Sequence, residues 1–208
     1  MTASTARRTE TVRTVVKVGG GLLSQAGAFD LVTGALAAFA KGQRTVVVPG
    51  GGPFADAVRE LVRRIRIGED AAYWMAVLGM DQYAQALTAR TAGAVVVDGP
   101  REVERALETG AIPVLAPYRW LRETNPLPHS AGVTTDSVAT WVAGALGAKR
   151  IVFIKPVRAS TPRVGSPPVE TMPAGMDTLV LTPHELEKLS DALNVRAEGS
   201  GPRSAQYG

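Results

Sequence analysis

Five short runs of β-branched and aliphatic residues punctuate the chain: Thr14–Val18 (TVVKV), Thr45–Val48 (TVVV), Ala94–Val97 (AVVV), Ile112–Leu115 (IPVL) and Ile151–Ile154 (IVFI). Each is apolar almost throughout, with no polar face. Such a strand must be covered on both sides, which is the position of a strand in a parallel sheet between helical layers. The segments between the runs carry helical spacing. Phe29, Val32, Leu36 and Phe39 form one stripe, and Ala55, Val58, Leu61 and Val62 a second, with Pro53 suited to a first turn. Tyr73, Val77, Met80, Ala84 and Leu87 mark a longer helix from Glu69 to about Thr91, and Arg101–Glu108 and Thr135–Leu146 are two more. The pattern predicts an α/β chain, with right-handed crossovers placing helices on both faces of a mostly parallel sheet. Thr178–Leu181 reads as a sixth strand, and Thr182-Pro183-His184-Glu185 has capping-box spacing after it.

Two segments read as loops. Ala116–Val133 contains Pro117, Pro126 and Pro128; Pro156–Asp177 contains Pro156, Pro162, Pro167, Pro168 and Pro173. The Thr/Arg-rich start and the Gly/Ser-rich end read as loose. One domain over residues 12–195 is expected, with flexible tails at 1–11 and 196–208.

Composition narrows the function. At 208 residues, 45% hydrophobic and 20% charged, the chain has enough apolar material for a sizeable core. Its net charge of +4 comes without the interleaved basic and aromatic residues of a nucleic-acid surface, so no nucleic-acid partner is expected. The absence of cysteine excludes disulfides, thiolate nucleophiles and thiolate metal sites, and two histidines argue against zinc. No apolar run approaches the roughly 20 residues of a membrane span, and no apolar leader follows Met1, so a cytoplasmic protein without membrane partners is expected.

Four features carry chemistry. Lys17 ends a strand run and is followed by Gly19-Gly20-Gly21 and then a helix, whose start would add partial positive charge. Strand ends are where open α/β sheets bind ligands, and glycines let successive N–H groups face an anion. A plain tight turn with a solvent-facing lysine is the alternative. Pro49-Gly50-Gly51-Gly52-Pro53 repeats the arrangement after the second run. Neither cluster has the spacing of a Walker A loop or of a dinucleotide fingerprint. Two such loops suit two neighbouring anions: nucleotide phosphates and an acceptor. The third feature is LPHSAGVTTDS, from Leu127 to Ser137. Thr134, Thr135 or Asp136 stands at a helix start as a cap, or Asp136 organises cationic groups around phosphates. His129 is a candidate for the acceptor. Lys155, at the end of IVFI, is either a snorkelling edge lysine or a second positive charge on the nucleotide. Arg59, Arg63, Arg64 and Arg66 form a cluster, Arg59 and Arg63 four residues apart on one helix face; a solvated face is the first reading and binding of an acidic substrate the second.

These motifs, in this order, resemble the amino acid kinase family, which includes acetylglutamate, carbamate, uridylate and isopentenyl phosphate kinases. The resemblance runs from about Val15 to Val157 and rests on VVKVGGGLL, VVVPGGGPFADAVRE, LPHSAGVTTDSVATWVA and IVFIKPV. With YWMAVLGMDQYAQAL, they look most like the furan-methyl phosphate kinase branch of methanofuran biosynthesis. The resemblance implies a three-layer α/β/α sandwich, with the acceptor in the N-terminal half and ATP with Mg²⁺ in the C-terminal half. Lys17 then stabilises the transferring phosphoryl and Asp136 holds that lysine. Gly19, Gly20 and Gly21, with Lys155, serve the nucleotide. Gly50, Gly51 and Gly52, with His129, serve a small anionic acceptor, a phosphate monoester in that branch. No general base is needed for an acceptor oxygen that is already anionic. A homo-oligomer, or a hetero-oligomer with a related chain, is also implied.

The chain departs from the pattern at Gly21, where serine is common, at Ala131-Gly132 in place of Trp-Asp, and at Arg158-Ala159 in place of Asp-Gly. These differences keep open a second reading: a non-catalytic nucleotide- or anion-binding subunit partnering an active paralogue.

Overall fold

Thr14–Val18 (β1) is buried along its whole length and paired in parallel along both edges. The computed structural model describes residues 12–130, 132–156, 173 and 175–194. Among them Thr45–Pro49 (β2), Ala94–Val97 (β3), Ile112–Leu115 (β4), Arg150–Ile154 (β5) and Asp177–Leu181 (β6) join β1 in one sheet. Its order is β3-β4-β2-β1-β5-β6, and every pairing is parallel. The helices are Ala28–Phe39 (α1), Gly52–Ile65 (α2), Glu69–Arg90 (α3), Pro100–Glu108 (α4), Tyr118–Thr124 (α5), Thr135–Ala145 (α6) and Glu187–Leu193 (α7).

The period of two along each strand divides the core. Val15, Val46, Val48, Ile151 and Phe153 pack with α4, α5 and α6 on one face. Val16, Val18, Val47, Val152 and Ile154 pack with α1 and α7 on the other. This is the expected α/β/α sandwich, and it explains why the runs carry no polar face. Helix α3 serves both layers. Tyr73, Trp74, Val77 and Met80 from its N-terminal half enter the first core, and Tyr83, Ala84 and Leu87 from its C-terminal half enter the second.

Two local expectations need correction. The stretch expected as a loop from Ala116 to Val133 contains α5. Pro117 and Pro126 flank this helix instead of interrupting it, and its Trp120 and Leu121 are buried. Asp81 of α3 accepts the Tyr118 N–H at 3.1 Å, so a carboxylate from another helix caps the first turn. Burial pushes that carboxyl up to about 6, opposed by the same hydrogen bond. The second correction concerns Gly19-Gly20-Gly21. A short 3₁₀ turn over Gly20–Ser24 follows β1, and α1 begins only at Ala28. The anticipated α-helix start is therefore not at the glycines. Of the proline-rich stretch, residues 157–172 and 174 lie outside the described residues, as do the tails at 1–11 and from 195 on.

The capping box at Thr182 and Glu185 is present, ahead of α7. Arg59 pairs with Asp56, and Arg63 with Glu60, on the exposed face of α2. The solvated reading of those arginines is the one the structure supports.

The two glycine loops touch through their main chains. A Cβ on Gly20 would stand 2.3 Å from the Gly52 nitrogen, and one on Gly50 would stand 2.7 Å from the Gly20 nitrogen. Gly34, exposed on α1, has open space around the same position. Gly20→Ala is therefore expected to lower stability by about 2–3 kcal/mol, the scale of overpacking against a neighbour that cannot yield. Gly34→Ala should raise it by about 0.5–1 kcal/mol, through the entropy of the unfolded chain. Urea denaturation of the two variants beside the parent checks both signs.

Candidate active site

Lys17 lies in phase with Val15 on β1 and so faces the α6 layer. Its partner in register on β5 is Phe153. Lys155, two residues further on, leaves the end of β5 on the same side. Helix α6 starts opposite both. Thr134 Oγ1 accepts the Ser137 N–H at 3.3 Å, and Ser137 Oγ accepts the Thr134 N–H at 3.3 Å, closing a capping box. That capped start puts Asp136 in the first turn, where the partial positive charge of the helix favours a carboxylate. Asp136 Oδ1 is 2.7 Å from Lys17 Nζ, and Oδ2 is 2.8 Å from Lys155 Nζ. The two readings of this motif divide between neighbours: Thr134 caps the helix and Asp136 binds the lysines.

Lys17 and Asp136 are only 4% and 6% exposed, whereas the Lys155 side chain keeps 24% of its surface. Burial pushes the Lys17 pKa below its ordinary value, against the pull of Asp136, and Lys155 adds to the downward push. Burial acts to raise the Asp136 pKa as well. Lys17 and Lys155 together outweigh that effect and hold the carboxyl below its ordinary 3.8. Two ammonium groups on one carboxylate leave one positive charge in excess, in a place largely withdrawn from water. Such an excess attracts an anion far more strongly than the same charge in bulk solvent.

The glycine loops border this charge. Gly19 N–H donates to Ile154 O at 2.8 Å, and Gly50 N–H donates to Val18 O at 2.7 Å, so both extend the sheet. Gly20 and Gly21 open the 3₁₀ turn, while Gly51 and Gly52 sit at the start of α2. N–H groups at helix starts have no intrahelical acceptor and are the ones placed to face a ligand. A Cβ on Gly51 would come within 3.7 Å of Thr135 Cγ2, which brings the second loop to the start of α6. A Cβ on Gly21 would stand 3.2 Å from Pro156 Cγ. The proline that follows Lys155 thus crowds Gly21, one of the departures from the family pattern noted above. Arg158, Ala159 and Ala131 lie outside the described residues.

His129 stands in a different setting. Its Nδ1 is 2.5 Å from Asp70 Oδ1 and its Nε2 is 2.7 Å from Asn125 Oδ1. The ring stacks on Tyr73 at 4.5 Å and meets Trp74 edge-on at 4.7 Å. Both ring nitrogens are engaged within the chain, and the side chain ties the loop before α6 to the first turn of α3. Trp74 also lies under the Arg122 guanidinium, at 4.5 Å. Sequence reading passed over this cluster, because its members come from two helices and a loop. The spacing of Asp70, Tyr73 and Trp74 on one helix side was the available signal.

Among the described residues, no three His, Cys, Asp or Glu side chains are grouped to hold a metal ion. No helix among them is long and apolar enough to cross a membrane.

The order of these elements has counterparts elsewhere. The Amino acid kinase family matches residues 12–159, from β1 to just beyond Lys155. The chain belongs to the amino acid kinase family. A (5-(aminomethyl)furan-3-yl)methyl phosphate kinase of Methanocaldococcus jannaschii is 27% identical over 141 residues, which is 67% of this chain and 63% of that protein. The match therefore spans somewhat less than two thirds of that relative's length. Among solved structures, uridylate kinase from Archaeoglobus fulgidus shares the fold with a TM-score of 0.64 at 15% identity, over 89% of this chain and 97% of that one. UMP kinase from Ureaplasma parvum does so with a TM-score of 0.61 at 14% identity, over the same 89% and 97%. The family and the sandwich fold expected from the motifs are both borne out.

Removing one partner of a buried ion pair strands the other. Asp136→Ala is expected to cost about 3–5 kcal/mol at neutral pH. Because the folded pKa of Asp136 lies below its ordinary 3.8, its contribution is present above that ordinary value. It is lost as the pH falls through the lower folded value. Guanidinium denaturation across the acid range should show a falling limb in the parent that is flatter in Asp136→Asn.

Proposed function

We propose that the chain is a cytoplasmic small-molecule kinase, moving the γ-phosphoryl of ATP onto a phosphate monoester. The observation that carries this reading is Asp136 gripping Lys17 and Lys155 where the two glycine loops meet. In this reading Gly20 and Gly21, with Lys155, face the nucleotide phosphates, and Gly51 and Gly52 face the phosphate of the acceptor. Lys17, between them, meets the charge on the phosphoryl group in flight. An acceptor oxygen attacks the γ-phosphorus, the bond to the bridging oxygen of ADP breaks, and no proton has to be removed. Phosphoryl transfer of this kind depends on positioning and charge stabilisation more than on a general base. Mg²⁺, when bound, neutralises charge on the nucleotide. The chain offers it no ready carboxylate cluster among the described residues, so it would enter on the phosphates of ATP. The likeness to the furan-methyl phosphate kinase supports an aminomethylfuran-methyl phosphate as acceptor.

A second reading, a nucleotide- or anion-binding subunit of an active paralogue, draws on Gly21 and its contact with Pro156. A Cβ at Gly21 would need Pro156 to give by a few tenths of an ångström.

Mg²⁺-dependent ADP release decides between them, with an aminomethylfuran-methyl phosphate, isopentenyl phosphate, UMP and acetylglutamate as acceptors. Turnover on one acceptor, reduced at least ~10²-fold in Lys17→Ala, is the expected outcome, as when one preorganised transition-state donor is lost. ATP binding without turnover on any acceptor would favour the subunit reading.

A further inference from the structure

Tyr83 is fully buried, and none of the chemistry above uses it. Burying a phenol where a phenylalanine would fill the same space costs free energy unless the hydroxyl finds a partner. The Tyr83 hydroxyl donates to Gly19 O at 3.4 Å, a long hydrogen bond to the first glycine loop. Burial pushes the phenol's pKa up, so the oxygen keeps its proton and remains a donor. The ring of the same residue supports the second loop: Tyr83 Cδ1 lies 3.6 Å from the place a Cβ on Gly52 would occupy. Phe29, at the start of α1, backs the ring at 6.1 Å between centroids, with 29° between the planes.

The bond to Gly19 O acts on more than that atom. The peptide is planar, so the carbonyl of Gly19 and the N–H of Gly20 point in opposite directions from one rigid unit. Gly19 O is held from one side by Leu22 N–H at 3.3 Å and by Tyr83 at 3.4 Å. The Gly20 N–H is thereby held pointing the opposite way from Gly19 O.

We propose that Tyr83 is a positioning residue for phosphoryl transfer, its hydroxyl aiming the Gly20 N–H of the nucleotide loop while its ring sets the height of Gly52 in the acceptor loop. The assignment of the loops rests on the kinase reading above. The physical claim, that one side chain in the core holds both loops, does not.

The test compares Tyr83→Phe and Tyr83→Leu with the parent, by calorimetric titration with ATP-Mg²⁺ and by steady-state ADP release, well below the melting temperature. Tyr83→Phe keeps the ring, so it should weaken ATP binding by about 3–10-fold, the scale of one net hydrogen bond, and leave the KM for the acceptor unchanged. Tyr83→Leu should raise both. A merely structural role would shift the melting temperature without this split. Parent-like ATP affinity and kcat in Tyr83→Phe would overturn the proposal, and so would an equal rise in both KM values. A parent that binds ATP but turns over no acceptor, with Tyr83→Phe still binding more weakly, would sustain the hold of Tyr83 on the nucleotide loop and sink the kinase reading, with it the role in phosphoryl transfer. A parent with no affinity for ATP would sink both.

Discussion

One carboxylate holds two ammonium groups, and the geometry of the site depends on that grip. Without Asp136, Lys17 would be a charge in the core with no counter-charge, and Lys155 would be free to swing into solvent. Desolvation alone argues against burying any of the three. Their mutual attraction offsets much of that cost, and the surplus positive charge is what remains for a ligand. The rest of the fold delivers the three groups to one point. The parallel register of β1 and β5 puts the lysines on the same face two residues apart, and the Thr134 cap fixes where α6 begins.

The sheet was legible because its physics is local in sequence. The first five strands are aliphatic runs that can be seen without their neighbours, and all six strands lie within a residue or two of where the sequence places them. Lys17, the glycine loops, Asp136 and Lys155 were legible for a related reason: each sits at the boundary of an element, and boundaries are marked by glycine, proline and capping residues. That they converge was implied by the resemblance and is visible in the distances.

What escaped sequence reading depends on contacts between elements far apart in the chain. Helix α5 is stabilised by Trp120 and Leu121 in the core and by a cap donated from α3, while its flanking prolines read as loop markers. His129 is a candidate for the acceptor on its loop position alone, and its contacts with Asp70, Asn125, Tyr73 and Trp74 come from elements distant in sequence. Tyr83 stands inside YWMAVLGMDQYAQAL but outside the stripe of Tyr73, Val77, Met80, Ala84 and Leu87 that marks that helix. Nothing near it in sequence announces that it reaches both loops. Gly19 and Gly50 resembled anion donors, yet each gives its N–H to the neighbouring strand.

The bare main-chain contact between the loops works as a gauge block. The spacing of Gly20 from Gly50 and Gly52 is set by main-chain atoms, with no side chain between them to lengthen or trim it. Substitution at Gly20, Gly50 or Gly51 breaks the gauge instead of resetting it, since an added methyl meets main-chain atoms or the packed side chain of Ala55.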